Sequence, residues 1–423
     1  MAQGAVASAD ASIAMNTHER QVLDNFYRRF PYPWRPMRIE RLTDPGFGAR
    51  FLCQDLGDYT GRRIPENPAI WVAGCGTNQA LLTALRFPQA RVLGTDASAR
   101  SLQICAESAA DLGVDNLELA QEGITQASRT DEFDHVICTG VIHHNPDPRA
   151  CLQRLSQALR PDGVLELMVY NAFHRREAVV FQEALRLLDP ERASNDIGWA
   201  RRLAGRAGAD TALGREFAAW EEPSDEAWAD TWMHPCEHTY TVDGLWDLAV
   251  SCGLQVEAPT VNQFDQVTGD WLWHLDLDDS ELQERFDALD DRARWQLVNL
   301  LRLDRSPMLW FYLTPQGRPR VTERDRNEAF LDTVFTRTRT GRQVHVLDES
   351  GRGYHRTDGV GLFPAGRPSA AVRAVHEAAD GVRPIRRILA DLGEVTPYRV
   401  HRARMALTTS RFPYLTAVTG RAA

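Results

Sequence analysis

An apolar strand that runs into a glycine turn, followed by a second apolar strand that ends in an acid, sets the strongest constraint on this chain. The first is Trp71-Val-Ala-Gly-Cys-Gly-Thr-Asn78 and the second is Val92-Leu-Gly-Thr-Asp96. Glycines let backbone approach a ligand closely, and an acid at the next strand end accepts hydrogen bonds from ribose hydroxyls. A dinucleotide fingerprint would need three glycines. Here Gly74-Cys75-Gly76-Thr77-Asn78-Gln79 supplies two, with Gln79 where the third would stand. The layout therefore points to a nucleotide-type cofactor other than a dinucleotide.

The alternation continues downstream. Ser98 to Leu112 has helical spacing without Pro or Gly, and Gly113 closes it. Asn116–Ala120 reads as a third strand, Phe133–Cys138 as a fourth and Val164–Tyr170 as a fifth. Asp147 to Leu159 is the helix between the last two, stopped by Arg160-Pro-Asp-Gly163. Strands and helices alternating at this spacing predict an α/β fold with a doubly wound, mostly parallel, Rossmann-like sheet. Ligands in such sheets sit outside the strand C-termini, where Gly74, Asp96, Glu122 and Thr139 all fall.

Taken together, these residues resemble motif I and the following strands of class I S-adenosylmethionine-dependent methyltransferases, over about residues 65–175. The family often carries an acid two residues before the first Gly, where this chain has Val72. The resemblance implies S-adenosylmethionine as cofactor. Ala73, Gly74, Cys75, Gly76, Thr77 and Asn78 would cradle its methionine part, Asp96 would hold the ribose and Ala97 would flank the adenine. Asn78 is read as tolerating a left-handed backbone. Glu122, Gly123 and Ile124 occupy the place of the adenine-contacting motif, with Glu122 either a contact or a solvated acid. Thr139 and Gly140 close the cofactor side.

Phe133-Asp-His-Val-Ile-Cys-Thr-Gly-Val-Ile-His143-His144 is similar to the family segment that faces both cofactor and substrate. A histidine titrates near neutrality, so His143 is a candidate proton acceptor; the alternative is a scaffold role on the pocket floor. The stretch from Val22 through Tyr27, Phe30-Pro31-Tyr32-Pro33 and Trp34 resembles a P-Y-P segment of methyltransferases often fused to helical repeats. Prolines make it stiff and extended. As a lid it would turn Tyr27 and Tyr32 inward; otherwise it is an arm packed on the sheet. Leu159–Tyr170 also resembles that group, and Tyr170 joins the substrate side.

Residues 176–319 depart from a minimal enzyme of this kind and are expected to form an α+β cap. Phe181 to about Ala219 is helical, with breaks at Gly205 and Gly208. His234-Pro-Cys-Glu237-His238-Thr-Tyr240-Thr241 resembles a stretch that covers the active site in the fused group. This makes His234, Glu237 and Tyr240 substrate-pocket candidates, along with His144, and His238 a second proton acceptor. Thr241 caps a helix ending at Gly253. The Cys/His/Glu set offers zinc-type ligands, but its spacing fits no zinc signature, and no metal is expected. Asp278 to Leu303 reads as one acidic helix, flanked by strands at 254–258 and 308–313. Asp265, Asp270, Trp271 and Trp273 are either pocket-lining or core.

The organisation expected is a disordered N-terminus (1–17), a lid segment (18–64), the cofactor-binding core (65–175), the cap (176–319) and a small C-terminal domain (320–423). The last is Arg-rich, has a hairpin near Gln343–Leu347, and then shows a helix–turn–helix look over Ser369 to Leu392 that suggests a winged-helix-like unit. A net charge of −10 argues against nucleic acid as the main partner. Seven cysteines, several in apolar runs, fit a reducing cytoplasm, and no apolar run approaches a membrane span. The leading expectation is methyl transfer to O or N of a small molecule of the specialised-metabolite kind. A peptide or protein acceptor docked on the C-terminal domain is the alternative, and a non-catalytic cofactor-binding protein the third. Removing residues after about 320 would separate the first two.

Overall fold

The computed structural model describes residues 36–423 apart from 191–195, 221–223, 261–271, 349–350, 352, 358–360, 364–367, 394, 410–412 and 420–423. Tyr27, Tyr32, Asp265, Asp270 and Trp271 lie outside the described residues. So does Trp34.

Strand β1 (Arg38–Leu42) precedes a helix over Phe47–Asp55. The central sheet then begins with β2 (Ala69–Ala73), β3 (Arg91–Asp96), β4 (Leu117–Gln121), β5 (Phe133–Thr139) and β6 (Leu159–Val169), alternating with helices Gln79–Arg86, Ala99–Asp111 and Pro148–Ala158. Two further strands, β7 (Leu254–Pro259) and β8 (Leu309–Pro315), complete seven in the order β4-β3-β2-β5-β6-β8-β7. Strands β4, β3, β2, β5 and β6 run parallel, whereas β8 is antiparallel to both β6 and β7. The chain winds one way from β2 and the other way from β5, so the topological switch lies between these two strands.

The inner strands of the sheet are buried on both faces, so neighbouring residues feed opposite cores, whereas the edge strand β4 is partly exposed. Trp71 and Ala73 pack with Phe133, Trp295 and Phe311 on one face. Ile70 and Val72 pack with Leu81, Val92 and Tyr312 on the other. Trp273 belongs to the first core and stacks near Phe311.

Helices Arg176–Leu188, Ile197–Ala204, Ala212–Ala219 and Asp225–Trp232 close their own small core around Phe181, Trp228 and Trp232. Thr241 caps helix Val242–Ser251 by accepting from the Gly244 amide, and Gly253 ends it with φ +75°. The acidic stretch 278–303 forms two helices, Ser280–Asp287 and Asp291–Arg302, because Asp290 breaks the run by capping the second through the Ala293 amide. Strand β6 also starts earlier than expected: Arg160–Gly163, read as a stop, runs within it past a register shift opposite β5.

The C-terminal residues form β9 (Phe335–Arg337), β10 (Thr340–Leu347), β11 (Tyr354–Arg356) and β12 (Gly361–Phe363), then helices Ala370–Ala378, Ile385–Asp391 and Pro397–Thr408, and β13 (Leu415–Ala417). Strand β9 pairs with β13, while β10 pairs with β11, β12 and β1. Residues 38–42 thus belong to the C-terminal sheet, in register from Arg38 opposite Val346 to Leu42 opposite Arg342. No helix among the described residues is long and apolar enough to cross a membrane.

Candidate functional site

The glycine turn leaves β2 at the switch point. Gly74 (φ +70°) and Gly76 (φ +54°) take left-handed backbone, which L side chains adopt at a penalty. A Cβ on Gly74 would come within 2.5 Å of the Val141 side chain, so the turn and the segment after β5 approach as closely as backbone allows. Asn78 has φ −150°, so the left-handed positions of the turn are the two glycines and not Asn78. The turn is tied to β3 by Gly74 and Cys75 amides donating to the Thr95 carbonyl at 2.8 and 2.9 Å.

Asp96 sits at the end of β3 with its two oxygens divided. Oδ2 accepts from the Gly76 amide and Oδ1 from the Ser98 amide, each at 2.8 Å. Burial raises its carboxyl above the ordinary value despite those two amides. Across the switch point, Gln79 Nε2 donates to Thr139 Oγ1 at 2.6 Å, tying the start of helix Gln79–Arg86 to β5, while the Gly140 amide donates to the Met168 carbonyl. Glu122 is paired with Arg129, whose guanidinium lies 5.0 Å from the Trp71 ring centroid. Gly123 accepts nothing by a side chain of its own; its amide donates to Gln126 Oε1, and Ile124 is buried. Ala97 is exposed, its carbonyl held by Gln121. Residues expected to face a cofactor therefore line one edge of the sheet. Their glycines without side chains and one acid at a ribose-accepting strand end fit a nucleoside-bearing cofactor.

Beside that edge lies an aromatic and charged cluster. His143 and His144 form a 3₁₀ turn after β5. The His143 ring stacks on Tyr170 at 3.9 Å, and the His144 ring on His234 at 3.7 Å. The segment carrying His234 is laced onto the strand ends: the His238 amide donates to His143 O, Tyr240 N to Tyr170 O, and Ala172 N to Tyr240 O, at 2.8–2.9 Å. Asn171 and Tyr240 form a parallel bridge. Glu237 receives a two-pronged pair from Arg175, Nε to Oε1 at 2.8 Å and Nη2 to Oε2 at 2.7 Å, plus Gln182 at 2.9 Å. Arg175 also covers the Tyr170 ring at 4.3 Å.

Burial governs protonation here. It holds His144 at about 4 and pushes His143 well below the ordinary histidine range, helped by neighbouring His144, His234, Arg175 and His238. Both ring nitrogens of His143 are buried without a hydrogen-bond partner. Burial likewise raises Asp230 to about 7, although Arg175 pulls the other way. His238 is half-buried, with Nε2 3.8 Å from Cys236 Sγ.

The structure thus brings His143, His144, Tyr170, His234, Glu237, His238 and Tyr240 into one neighbourhood. Arg175, Asp230 and Gln182 belong to it as well and escape sequence reading, since their partners lie 49 to 62 residues away for Arg175 and Gln182. One further grouping departs from expectation. His144, Asp230 and His234 place one ligand-type atom each within 4.8 Å of one another. Asp230 and His234 lie four residues apart at the end of helix Asp225–Trp232, but His144 reaches them from the turn after β5, which local spacing does not show.

A glycine-turn α/β sheet with an acid-ended β3 defines a cofactor-binding domain of the nucleoside class. Comparison with known proteins narrows it. A family model for a methyltransferase domain matches residues 71–165. An uncharacterised protein of Synechococcus is 29% identical over 68% of this chain and 70% of its own length. The trans-aconitate 2-methyltransferase of Deinococcus radiodurans is 40% identical over 25% of this chain. The chain spans only 40% of that enzyme's length. The fold is shared with PKMT2 from Rickettsia typhi, solved in complex with AdoHcy, at a TM-score of 0.58 and 15% identity over 88% of this chain and 76% of that one. Residues 71–165 thus carry a methyltransferase domain of the class I, S-adenosylmethionine-dependent kind.

Proposed function

We propose that this enzyme methylates an oxygen or nitrogen atom of a small molecule of the specialised-metabolite kind. The acceptor would sit against His143, His144, Tyr170, His234, Glu237 and Tyr240. The observation that carries this reading is the lacing of residues 238–240 onto the ends of β5 and β6. It sets an enclosed polar and aromatic wall beside the glycine turn, in keeping with a compact acceptor.

Bound S-adenosylmethionine supplies a methyl group on a sulfonium sulfur. The acceptor lone pair forms the new bond to carbon as the carbon–sulfur bond breaks, and the acceptor's proton must leave. Ala73 to Asn78, Asp96 and Ala97 position the cofactor in this reading, with Glu122, Gly123, Ile124, Thr139 and Gly140 along the adenine and methyl side. Positioning and water exclusion carry most of the rate effect. Stacking rings and the Arg175–Glu237 pair hold the pocket wall. His143, fully buried between Tyr170 and His144, shapes the floor, and half-buried His238 is the proton acceptor. Seven cysteines, all free, support a reducing cytoplasm as the working compartment.

A peptide acceptor is the second reading, favoured by Val382, Leu392 and Val395 exposed on the C-terminal unit. Mass spectrometry of a metabolite extract incubated with enzyme and cofactor tests the first: a one-methyl mass gain on a small molecule is expected. Methylation of peptides alone would favour the second reading. For the proton acceptor, His238→Gln should lower kcat at nearly constant KM; an unchanged kcat removes His238 from that role.

A further inference from the structure

We propose that His144, Asp230 and His234 form a binding site for a divalent transition-metal ion of the zinc type. The site lies in the wall of the acceptor pocket and so rests on the placement of that pocket, but not on the identity of the acceptor.

Geometry comes first. His144 Nδ1 lies 3.0 Å, and His234 Nδ1 2.6 Å, from the carbonyl oxygen of Cys236. A carbonyl can only accept, so His144 carries its proton on Nδ1. The Cys236 amide donates to His234 Nδ1 at 3.2 Å, so that ring is held by both backbone polar groups of Cys236. Each ring offers one nitrogen to the cluster. The two rings stack at 3.7 Å with 31° between their planes. Histidines oriented by an Nδ1–H bond to a backbone carbonyl are the form in which proteins present imidazole to a metal. Here one residue, Cys236, orients both.

Charge supplies the second, independent observation. Asp230 is 6% exposed, and a buried carboxylate needs a cation or a proton. The nearby cation, Arg175, is committed through two hydrogen bonds to Glu237 and a third to Thr231 O. Arg175 and Glu237 cancel, and Asp230 is met by the Tyr170 hydroxyl rather than by a cation of its own. A divalent ion would supply that cation.

Ligand chemistry agrees. Two imidazole nitrogens and one carboxylate make a three-ligand set with a coordination position left for water or an acceptor heteroatom. The three atoms lie within 4.8 Å of one another. Metal–ligand bonds of about 2.1 Å require each atom to move inward by less than about 1 Å. An ion so placed would fix the acceptor's oxygen or nitrogen at the pocket wall and favour loss of its proton.

The test uses the full chain, stripped of metal by a chelator and dialysed against cobalt(II) and zinc. One equivalent per chain is expected, with the intense visible absorption of low-coordinate cobalt, displaced by zinc. Asp230→Asn, His144→Gln and His234→Gln should each weaken cobalt affinity at least tenfold, while Cys236→Ser should leave it unchanged. Zinc should raise the melting temperature of the unsubstituted protein and not that of Asp230→Asn. Calorimetric binding of S-adenosylmethionine by each variant shows that it is folded and reads the cofactor site separately. Substoichiometric metal in the unsubstituted protein, or affinity indifferent to Asp230→Asn and His234→Gln in folded protein, overturns the site. Either result leaves the methyl-transfer reading standing.

Discussion

Asp96 spends both carboxylate oxygens on backbone amides, one from the glycine turn and one from the start of the next helix. It therefore shapes the loop as well as offering lone pairs to a ribose. Replacing it with Ala removes both charge-assisted bonds and should weaken S-adenosylmethionine binding by roughly an order of magnitude or more. Unchanged affinity by calorimetry would remove Asp96 from the cofactor site. Gly74→Ala makes a sharper steric test, since the new methyl would meet Val141 at 2.5 Å on a backbone of φ +70°. Cofactor affinity should fall at least tenfold with about 1 kcal/mol or more lost in stability, read by thermal melts. These residues are legible in the sequence because their chemistry is local: a turn needs glycine at fixed offsets from a strand. Arg175 and Asp230 are not, because an arginine or an aspartate in a helical stretch acquires meaning only from a distant partner. Asn78 misleads for the same reason, its backbone being set by the helix it starts and not by the glycine before it.

Between residue and whole molecule, the segment His234–Tyr240 is the element that would wall the proposed acceptor pocket. It has no regular structure of its own and borrows order from the strand ends and from the Arg175–Glu237 pair. Both side chains are almost entirely buried, at 7% and 1% exposure. Removing one partner strands the other's charge, so Glu237→Ala should lose about 3 kcal/mol of stability. The double change Arg175→Met with Glu237→Leu should recover much of that loss in urea melts. A single variant as stable as the unsubstituted protein would show that the pair does not hold the segment. Parallel strands and their helices were open to sequence reading because period and punctuation are repeated many times over. The division at Asp290 was hidden: apolar spacing runs straight through it, and only the cap bond to Ala293 marks a new helix.

At the scale of the whole chain, the C-terminal unit is fastened to the methyltransferase core by buried charge. Glu323 pairs with Arg404 and, at 3.3 Å, with Arg326; Arg326 in turn lies 3.3 Å from Glu257 of β7, which also faces Arg63. Gln54 donates to the Thr408 and Leu415 carbonyls and accepts from the Ala417 amide, and β1 pairs with β10 some three hundred residues later. No composition shift reveals such ties, which is why position 320 reads as a clean boundary in the sequence. Truncation there would leave Glu257 and Arg63 without Arg326 and strip β1 of its partner. The shortened chain should therefore be insoluble or melt far below the full one, making docking-surface variants the better probe of a peptide acceptor. The full chain should unfold in one cooperative transition; two resolved calorimetric peaks would contradict the coupling.

The same network makes a pH prediction with a fixed sign. Burial alone would raise the Glu323 carboxyl, but Arg404, Arg326 and His401 outweigh it and hold it below the usual carboxylate range. A depressed acid stabilises the fold above its unfolded value of about 4.3, and that contribution is lost as pH falls toward the folded value. Glu323→Gln mimics the protonated form while leaving Arg404 and Arg326 unpaired. At pH 7 it should therefore be less stable than the parent by about 3 kcal/mol. Because the parent loses the same charge in acid, the gap should narrow steadily below about pH 4.3. Urea melts of the two proteins at pH 7, 5 and 3 measure it. A gap constant across that range would mean that Glu323 does not carry the charge that joins the two units.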